Sequence, residues 1–166
     1  MAVVCVLVVP RQIKRWARES RAASAPELAV MIHVADPRSF TRLVRGFYAT
    51  DNDLWRWTGR EFSIILNPPK NAYQNGAVLV LRYAIVEAVL ANVKTMNLSI
   101  SVDGVALPVQ HYDKPGQFIL RLDTPANALR FDPVRVDFTL DKALPPSGRE
   151  VRELGIIVSD VGFEPR

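Results

Sequence analysis

From residue 28 to the carboxyl terminus, the chain is a succession of short apolar runs separated by turn-forming residues. Within the runs, apolar and polar residues tend to alternate, which is the period of a half-buried β-strand. The candidate strands are residues 28–34, 40–48, 54–58, 61–66, 77–84, 96–102, 105–109, 117–122, 134–140 and 155–161. This series predicts an all-β fold: an antiparallel two-sheet β-sandwich of the jelly-roll type, closed by its last strand.

Turn chemistry supports the same fold. Asp103-Gly104 lies between two apolar runs, and this dipeptide favours the left-handed two-residue turn of a β-hairpin. Proline pairs at residues 67–71 and 144–148 cannot join a hydrogen-bonded ladder and predict loops. Residues 85–93 contain Glu87-Ala88-Val89-Leu90-Ala91, which favours a short helical crossover between strands.

The first 27 residues differ from the rest, so we divide the chain into an apolar start with a basic arm or linker (1–27) and a β-sandwich domain (28–166). Residues 1–10 are apolar, about half the roughly 20 residues that cross a bilayer. Residues 11–25 favour a short basic helix or a solvated arm, and Ile13 and Trp16 are candidate anchors at an anionic membrane surface. If residues 1–10 end a longer hydrophobic anchor, the protein is associated with a membrane or the cell envelope; otherwise we expect it in the cytoplasm.

Composition limits the kinds of chemistry. The 166 residues include one cysteine and two histidines, so neither a disulfide within the chain nor a Cys-rich or His-rich metal site is expected, and we predict no cofactor. The net charge is +4, but five basic residues fall within residues 11–21, and outside that segment acidic and basic residues are equal in number. Nucleic acid is therefore not expected as a partner, because its electrostatic footprint should extend over the folded domain.

Aromatic and charged residues near the start of the β-region form the candidate ligand site. These residues are Tyr48, Asp51, Asp53, Trp55, Arg56 and Trp57. Aromatic rings stack on the apolar face of a sugar while carboxylates and guanidinium groups hydrogen-bond its hydroxyls. Strand alternation places Trp55 and Trp57 on one side and Arg56 on the other. The alternative is that both tryptophans belong to the core and that Arg56 pairs with Asp51 or Asp53.

Two further groups of residues have competing interpretations. Arg149 and Arg152, beside Glu150 and Glu153, predict either a structural ion-pair clamp or a site for an anion. A glycan hydrolase would need two carboxylates across a cleft. The candidates for that pair are Asp51, Asp53, Glu61 and Asp113.

Several short motifs, in this order, resemble a known class of bacterial module. They are Gly46-Phe47-Tyr48, Arg56-Trp57-Thr58, Ser101-Val102-Asp103-Gly104, Arg152-Glu153-Leu154-Gly155-Ile156 and Val161-Gly162-Phe163. Over about residues 40–164 the chain is similar to jelly-roll domains of the galactose-binding and carbohydrate-binding type, which occur beside envelope glycosyltransferases and in small, often membrane-anchored proteins. Relatives usually have Glu where this chain has Asp51-Asn52-Asp53. The resemblance implies a β-sandwich in a carbohydrate-related setting and carries no catalytic residue.

Three functions are therefore considered. The first is a non-catalytic module at the cell envelope that binds a carbohydrate or docks onto a glycan-handling enzyme. The second is a structural or protein-interaction domain, and the third is a glycan hydrolase on the same scaffold. The expected partners are a glycan or an envelope protein, and a membrane surface contacted by residues 1–25. Nothing in the sequence predicts an oligomeric state.

Overall fold

The computed structural model describes residues 13–15, 30–50 and 52–166 of the chain. Within these ranges there are ten strands and two short α-helices, and residues 13–15 are also helical. The strands are β1 (Val30–His33), β2 (Leu43–Phe47), β3 (Arg56–Leu66), β4 (Ala77–Ile85), β5 (Met96–Val102), β6 (Val105–Ala106), β7 (Gln110–Tyr112), β8 (Gly116–Thr124), β9 (Val134–Leu140) and β10 (Ile157–Pro165). The helices are α1 (Ala72–Asn75) and α2 (Glu87–Val93).

The strands form two layers, and every pairing is antiparallel. One layer has the order β1-β10-β4-β8, and the other has β2-β3-β9-β5, with β6 and β7 both paired to β5. The first residues of β3 also pair with β10, Trp57 opposite Ile157, so the sheet is continuous as it curls from one layer into the other. The predicted antiparallel β-sandwich, closed by its last strand, is confirmed.

The core lies between the layers and follows from strand alternation. In β5 and β9 every second residue is a buried apolar one, and the residues between them are more exposed and mostly polar. Phe62 of β3 stacks on Phe138 of β9 with ring centroids 4.7 Å apart. From the other layer, β4 and β10 contribute Leu79, Leu81 and Phe163, which are almost completely buried. Apolar burial of this kind is the main favourable term in folding.

Three predicted strands have different bounds in the structure. Residues 40–48 were expected to be one extended segment, but Pro37–Arg42 is a 3₁₀-helix and β2 begins only at Leu43. The Asp36 side chain accepts a hydrogen bond from the Arg38 amide and proline occupies the first helical position, so local capping favours the helical turn. Residues 54–58 and 61–66 were expected as two strands, whereas β3 is one strand of 11 residues.

The predicted hairpin and crossover helix are confirmed. Asp103 and Gly104 have φ values of 45° and 82°, and they join β5 to β6 with Val102 opposite Val105. Helix α2 occupies the predicted crossover after β4. Strand β7 was not predicted, because its three residues carry too short a pattern to be recognised.

Most of the predicted basic arm lies outside the described residues. Residues 13–15 are helical, in agreement with the local propensity. The Ile13 side chain is buried and belongs to the hydrophobic core cluster, so it is not exposed as the predicted membrane anchor. Trp16 and residues 1–10 are outside the described ranges, and the division at residues 27 and 28 stays a prediction. Among the helices that the structure describes, none combines the length and apolar character needed to cross a membrane.

Candidate functional site

The three aromatic residues that the sequence suggested for sugar stacking are not freely exposed. Trp55 and Trp57 are only 4% and 6% exposed and belong to the hydrophobic core. Tyr48 is partly buried; its hydroxyl donates to the Glu153 carbonyl at 2.8 Å, and the Arg152 guanidinium lies 5.5 Å from its ring centroid. The core interpretation therefore describes both tryptophans, and Arg56 between them is buried as well.

The charged members of the candidate group have structural partners. Arg56 is buried, with Nε donating to the Val34 carbonyl at 2.6 Å and Nη1 donating to the Tyr48 carbonyl at 3.0 Å. The expected pairing of Arg56 with a carboxylate is thus replaced, among the described contacts, by two backbone acceptors. Asp53 is exposed, and its carbonyl oxygen lies 3.1 Å from Nε2 of His33. Asp51 lies outside the described residues.

The charged cluster before β10 has the geometry of a clamp. Arg152 donates from Nε and Nη2 to the two carboxylate oxygens of Glu150, each at 2.8 Å, and also lies over the Tyr48 ring. Glu153 pairs with Arg60 at 3.9 Å. Since a bidentate carboxylate already engages Arg152, this side chain holds the segment before β10 against Tyr48 and is not open to an anion, whereas Arg149 is exposed.

A pH-dependent contribution to stability follows from this clamp. Hydrogen bonds from Arg152 lower the pKa of Glu150 from its ordinary 4.5 to about 2. A carboxylate whose pKa is lowered by folding stabilises the protein above its unfolded-state pKa, so we expect this contribution to be complete above about pH 5 and lost between pH 4.5 and 2. Because both side chains are partly exposed, its size should be about 1 kcal/mol or less. Urea unfolding of the wild type and Glu150→Gln across this range measures the difference, which should shrink as the pH falls; a constant difference would contradict the expectation.

Two exposed aromatic residues lie together at one end of the sandwich. Tyr73 in α1 is 59% exposed and Phe131, between β8 and β9, is 70% exposed. Both line one open cleft of about 210 Å³. Fully burying a large apolar side chain stabilises a protein by about 1.5–3 kcal/mol. Because both rings are largely exposed, a ligand that covers them would gain part of this free energy. Exposed apolar groups that gather in a concavity are typical of a binding site.

The strand order brings these two rings together. The chain leaves one layer at Leu66 and enters the other at Ala77, and between them lie a proline-rich loop and α1. It returns between Thr124 and Val134, through the segment that contains Phe131. Ala77 is paired with Thr124 and Leu66 with Val134, so the two crossovers run side by side at the same end of the sandwich.

The cleft combines an apolar floor with polar walls. Ala72 and Leu129 are buried and form part of its lining. Lys70, Asn71, Arg130 and Asp132 also line it. Asp132 accepts a hydrogen bond at 2.6 Å from the side-chain amide of Asn67, which fixes the carboxylate at the rim. The arrangement provides two exposed aromatic rings together with donors and acceptors for hydroxyl groups.

Next to this cleft, a second concavity of about 320 Å³ extends toward β1; we call it the arginine groove. It is lined by Met31, Ile32, His33, Asp36, Arg38, Ser39, Arg42 and Asn67. Arg38 makes a bidentate pair with Asp36, whereas Arg42 donates to the side-chain oxygen of Asn67. Asn67 thus contacts Arg42 on one side and Asp132 of the cleft on the other.

The sequence contained only a weak signal for Tyr73 and Phe131. Residues 67–71 were recognised as a loop, and an aromatic residue two positions after a proline-rich loop can be exposed. Phe131 lies in a segment with no strand pattern and a following proline. Neither position reveals that the two loops are neighbours, because that depends on the pairing of four strands distant in sequence.

The carboxylates proposed for a hydrolase have different surroundings. Glu61 pairs with Arg45 at 3.2 Å, and Asp113 lines a separate cavity with Glu87 and Lys94. Within residues 13–15, 30–50 and 52–166, no three His, Cys, Asp or Glu side chains are grouped so as to hold a metal ion.

Fold and site together define a β-sandwich domain with an open aromatic cleft between two layer-crossing loops. No protein-family model matches the sequence, and no curated protein does. Two of the similar solved structures are carbohydrate-binding modules. One is a CBM36 module in complex with calcium and xylotriose, with 10% identity, a TM-score of 0.44, and coverage of 81% of this chain and 98% of that one. The other is the CBM36-1 domain of a multidomain xylanase from the hindgut metagenome of Trinervitermes trinervoides, with 8% identity, a TM-score of 0.44, and coverage of 83% and 98%.

A third structure contains the CBM51-2 and INT domains of Clostridium perfringens ZmpB, with 14% identity, a TM-score of 0.38, and coverage of 68% of this chain and 22% of that one. The assignment of a β-sandwich to this chain depends on its own strand pairing and not on these similarities.

Proposed function

We propose that this domain is a non-catalytic glycan-binding module and that the cleft between Tyr73 and Phe131 is its binding site. The observation that carries the proposal is the pair of exposed rings lining one concavity above a buried apolar floor. The stacking candidates suggested by the sequence, Trp55 and Trp57, have no part in it.

Sugar chemistry suits this cleft. A pyranose ring presents an apolar face of C–H groups and a rim of hydroxyls, so it can cover aromatic faces while its hydroxyls remain hydrogen-bonded. Aromatic rings supply a large contact area and a negative π face that attracts polarised C–H groups. The rim of the cleft offers the Asn71 amide and the Asp132 carboxylate. Its volume of about 210 Å³ is below the roughly 300–1,000 Å³ of sites that enclose drug-sized ligands, so we expect a shallow site that covers one face of a sugar.

A binding assay on aromatic variants tests the proposal. We expect Tyr73→Ala and Phe131→Ala each to weaken glycan binding about tenfold or more, which corresponds to about 1.4 kcal/mol, while stability changes by about 0.5 kcal/mol or less. Binding is first located on a glycan array and then measured by calorimetry on the purified protein.

Phe40→Ala is the matched control for these variants. Phe40 is 68% exposed, comparable to the two cleft rings, but it lines neither the cleft nor the arginine groove. Its replacement should leave glycan affinity unchanged. Equal affinity in the wild type and in both cleft variants, or no glycan bound by the folded wild type, would refute the proposed function.

The cellular setting is a separate part of the proposal. We propose that the module works at the cell envelope, held near the membrane by residues 1–25 and beside a glycan-handling enzyme. The support for this setting is the sequence alone, where an apolar run precedes five basic residues. Fractionation of cells that express the gene with its upstream region tests it, since a wholly soluble product would contradict membrane association.

A further inference from the structure

Among the described residues, three cations that line the cleft and the arginine groove have no carboxylate partner: Arg42, Lys70 and Arg130. We propose that the ligand is an acidic polysaccharide, bound as an extended chain that runs from the aromatic cleft into the arginine groove. This inference rests on the proposed function and deepens it, because it names the class of glycan and the path that its chain takes.

Charge in the aromatic cleft is unbalanced. Lys70 and Arg130 both line it and are exposed, and in the part of the chain that the structure describes neither has a carboxylate partner. Asp132 is the one carboxylate in the lining, and its Oδ1 accepts from Asn67 and not from a cation. Two cations and one anion therefore line the described part of the cleft.

Elsewhere on the two sheets, exposed arginines are matched to carboxylates. Arg45 pairs with Glu61 at 3.2 Å, and Arg135 pairs with Asp137 at 2.9 Å. A guanidinium or ammonium group that has no acid beside it attracts an anionic ligand without first having to break an internal ion pair. A ligand can therefore bind Lys70 and Arg130 without breaking an ion pair, whereas it would have to break one to bind Arg45 or Arg135.

The second subsite is the arginine groove. Arg42 lines it and donates to the Asn67 side chain, a neutral acceptor, so its charge has no carboxylate partner within residues 30–50 and 52–166. Arg38, by contrast, is neutralised by Asp36 at 2.7 Å. Asn67, which lines the groove, is hydrogen-bonded both to Arg42 of the groove and to Asp132 of the cleft, so the two concavities are neighbours. A chain with an acidic group on successive sugars can therefore place one group near Lys70 and Arg130 and another near Arg42.

The inference predicts selectivity for acidic glycans and a dependence on salt. Interactions of exposed charges are screened as the Debye length falls, from about 30 Å at 0.01 M to about 3 Å at 1 M ionic strength, whereas ring stacking is much less affected. We expect polygalacturonate, and a sulfated glycan such as chondroitin sulfate, to bind at least tenfold more tightly than neutral xylan at 20 mM salt, and to lose most of that advantage at 500 mM. Comparing carboxylated with sulfated chains identifies which anion the cations prefer.

Variants separate the two subsites. Lys70→Gln/Arg130→Gln should weaken binding of both an acidic disaccharide and the long acidic polymer about tenfold at low salt, whereas Arg42→Gln should weaken binding of the polymer alone. The matched control is Lys114→Gln, an exposed lysine outside both concavities, which should bind like the wild type. Thermal melts confirm that each variant is folded.

The outcomes distinguish this inference from the proposed function. If neutral xylan binds as tightly as the acidic chains, with no salt dependence but with loss of affinity in Tyr73→Ala, the acidic ligand is refuted and the glycan site stands. If single-stranded nucleic acid binds more tightly than any glycan and the charge variants abolish that binding, the inference is refuted. If no glycan binds the folded wild type, the proposed function and the inference fail together.

Discussion

Replacing Trp57 by alanine is expected to lower the free energy of unfolding by about 3–5 kcal/mol, the usual cost of removing a large buried aromatic side chain. The ring is 6% exposed and lies in the core, and its backbone is opposite Ile157 where β3 meets β10. Domains are commonly stable by only about 5–15 kcal/mol, so the variant should retain a much smaller margin. Chemical denaturation with urea measures this loss.

Tyr73→Ala provides the opposite comparison. Its ring is exposed in the cleft, so we expect it to change stability by about 0.5 kcal/mol or less while it weakens glycan binding. Trp57→Ala should therefore lower chiefly the free energy of unfolding, whereas Tyr73→Ala should lower chiefly the affinity for the glycan. If Trp57→Ala melted like the wild type and lost only glycan affinity, its ring would belong to the ligand site that the sequence first suggested.

The second large effect is expected at Gly46. This residue has a φ of +74°, and a Cβ added there would lie 1.9 Å from the carbonyl oxygen of Glu61 and 2.7 Å from Cα of Phe62. Left-handed backbone costs a residue other than glycine about 1–2 kcal/mol, and here β2 would also have to move away from β3. We expect Gly46→Ala to lose about 3 kcal/mol or more, a fall in Tm of about 6–12 °C for a domain of this size.

Gly104→Ala separates the cost of the left-handed backbone at Gly46 from the cost of the contact with β3. Gly104 has a similar φ of +82°, but a Cβ added there would have no heavy atom within 4 Å. Its replacement should cost only the left-handed penalty of about 1–2 kcal/mol. Scanning calorimetry of the two variants gives the cost of the contact with β3 as their difference. Equal melting temperatures would show that β2 adjusts without strain.

Much of the fold was predictable from local pattern. The residues that line the core of β5 and β9 alternate in the sequence, and Asp103-Gly104 indicates its hairpin turn because few other dipeptides adopt that backbone. The 3₁₀-helix at Pro37–Arg42 was missed, although Asp36 and Pro37 are a capping residue and a helix-initiating proline. The apparent alternation of residues 40–48 favoured an extended segment and outweighed this capping pattern.

The candidate site was not predictable in the same way. Alternation grouped Trp55 with Trp57, but it does not reveal whether other parts of the chain cover these rings. Exposure of Tyr73 and Phe131 depends on where two crossover loops meet, which is decided by the pairing of Ala77 with Thr124 and of Leu66 with Val134. These partners are separated by many residues along the chain, so no local pattern records their contact.

Local sequence pattern was enough to predict that this chain forms strands and where most of them turn, because those properties depend on residues within a few positions of one another. The fold was needed to show that Trp55 and Trp57 are buried and that Tyr73 and Phe131 stay exposed. Burial requires two surfaces in contact, and this core is formed by strands that are far apart in the sequence, with β10 paired to strands of both layers.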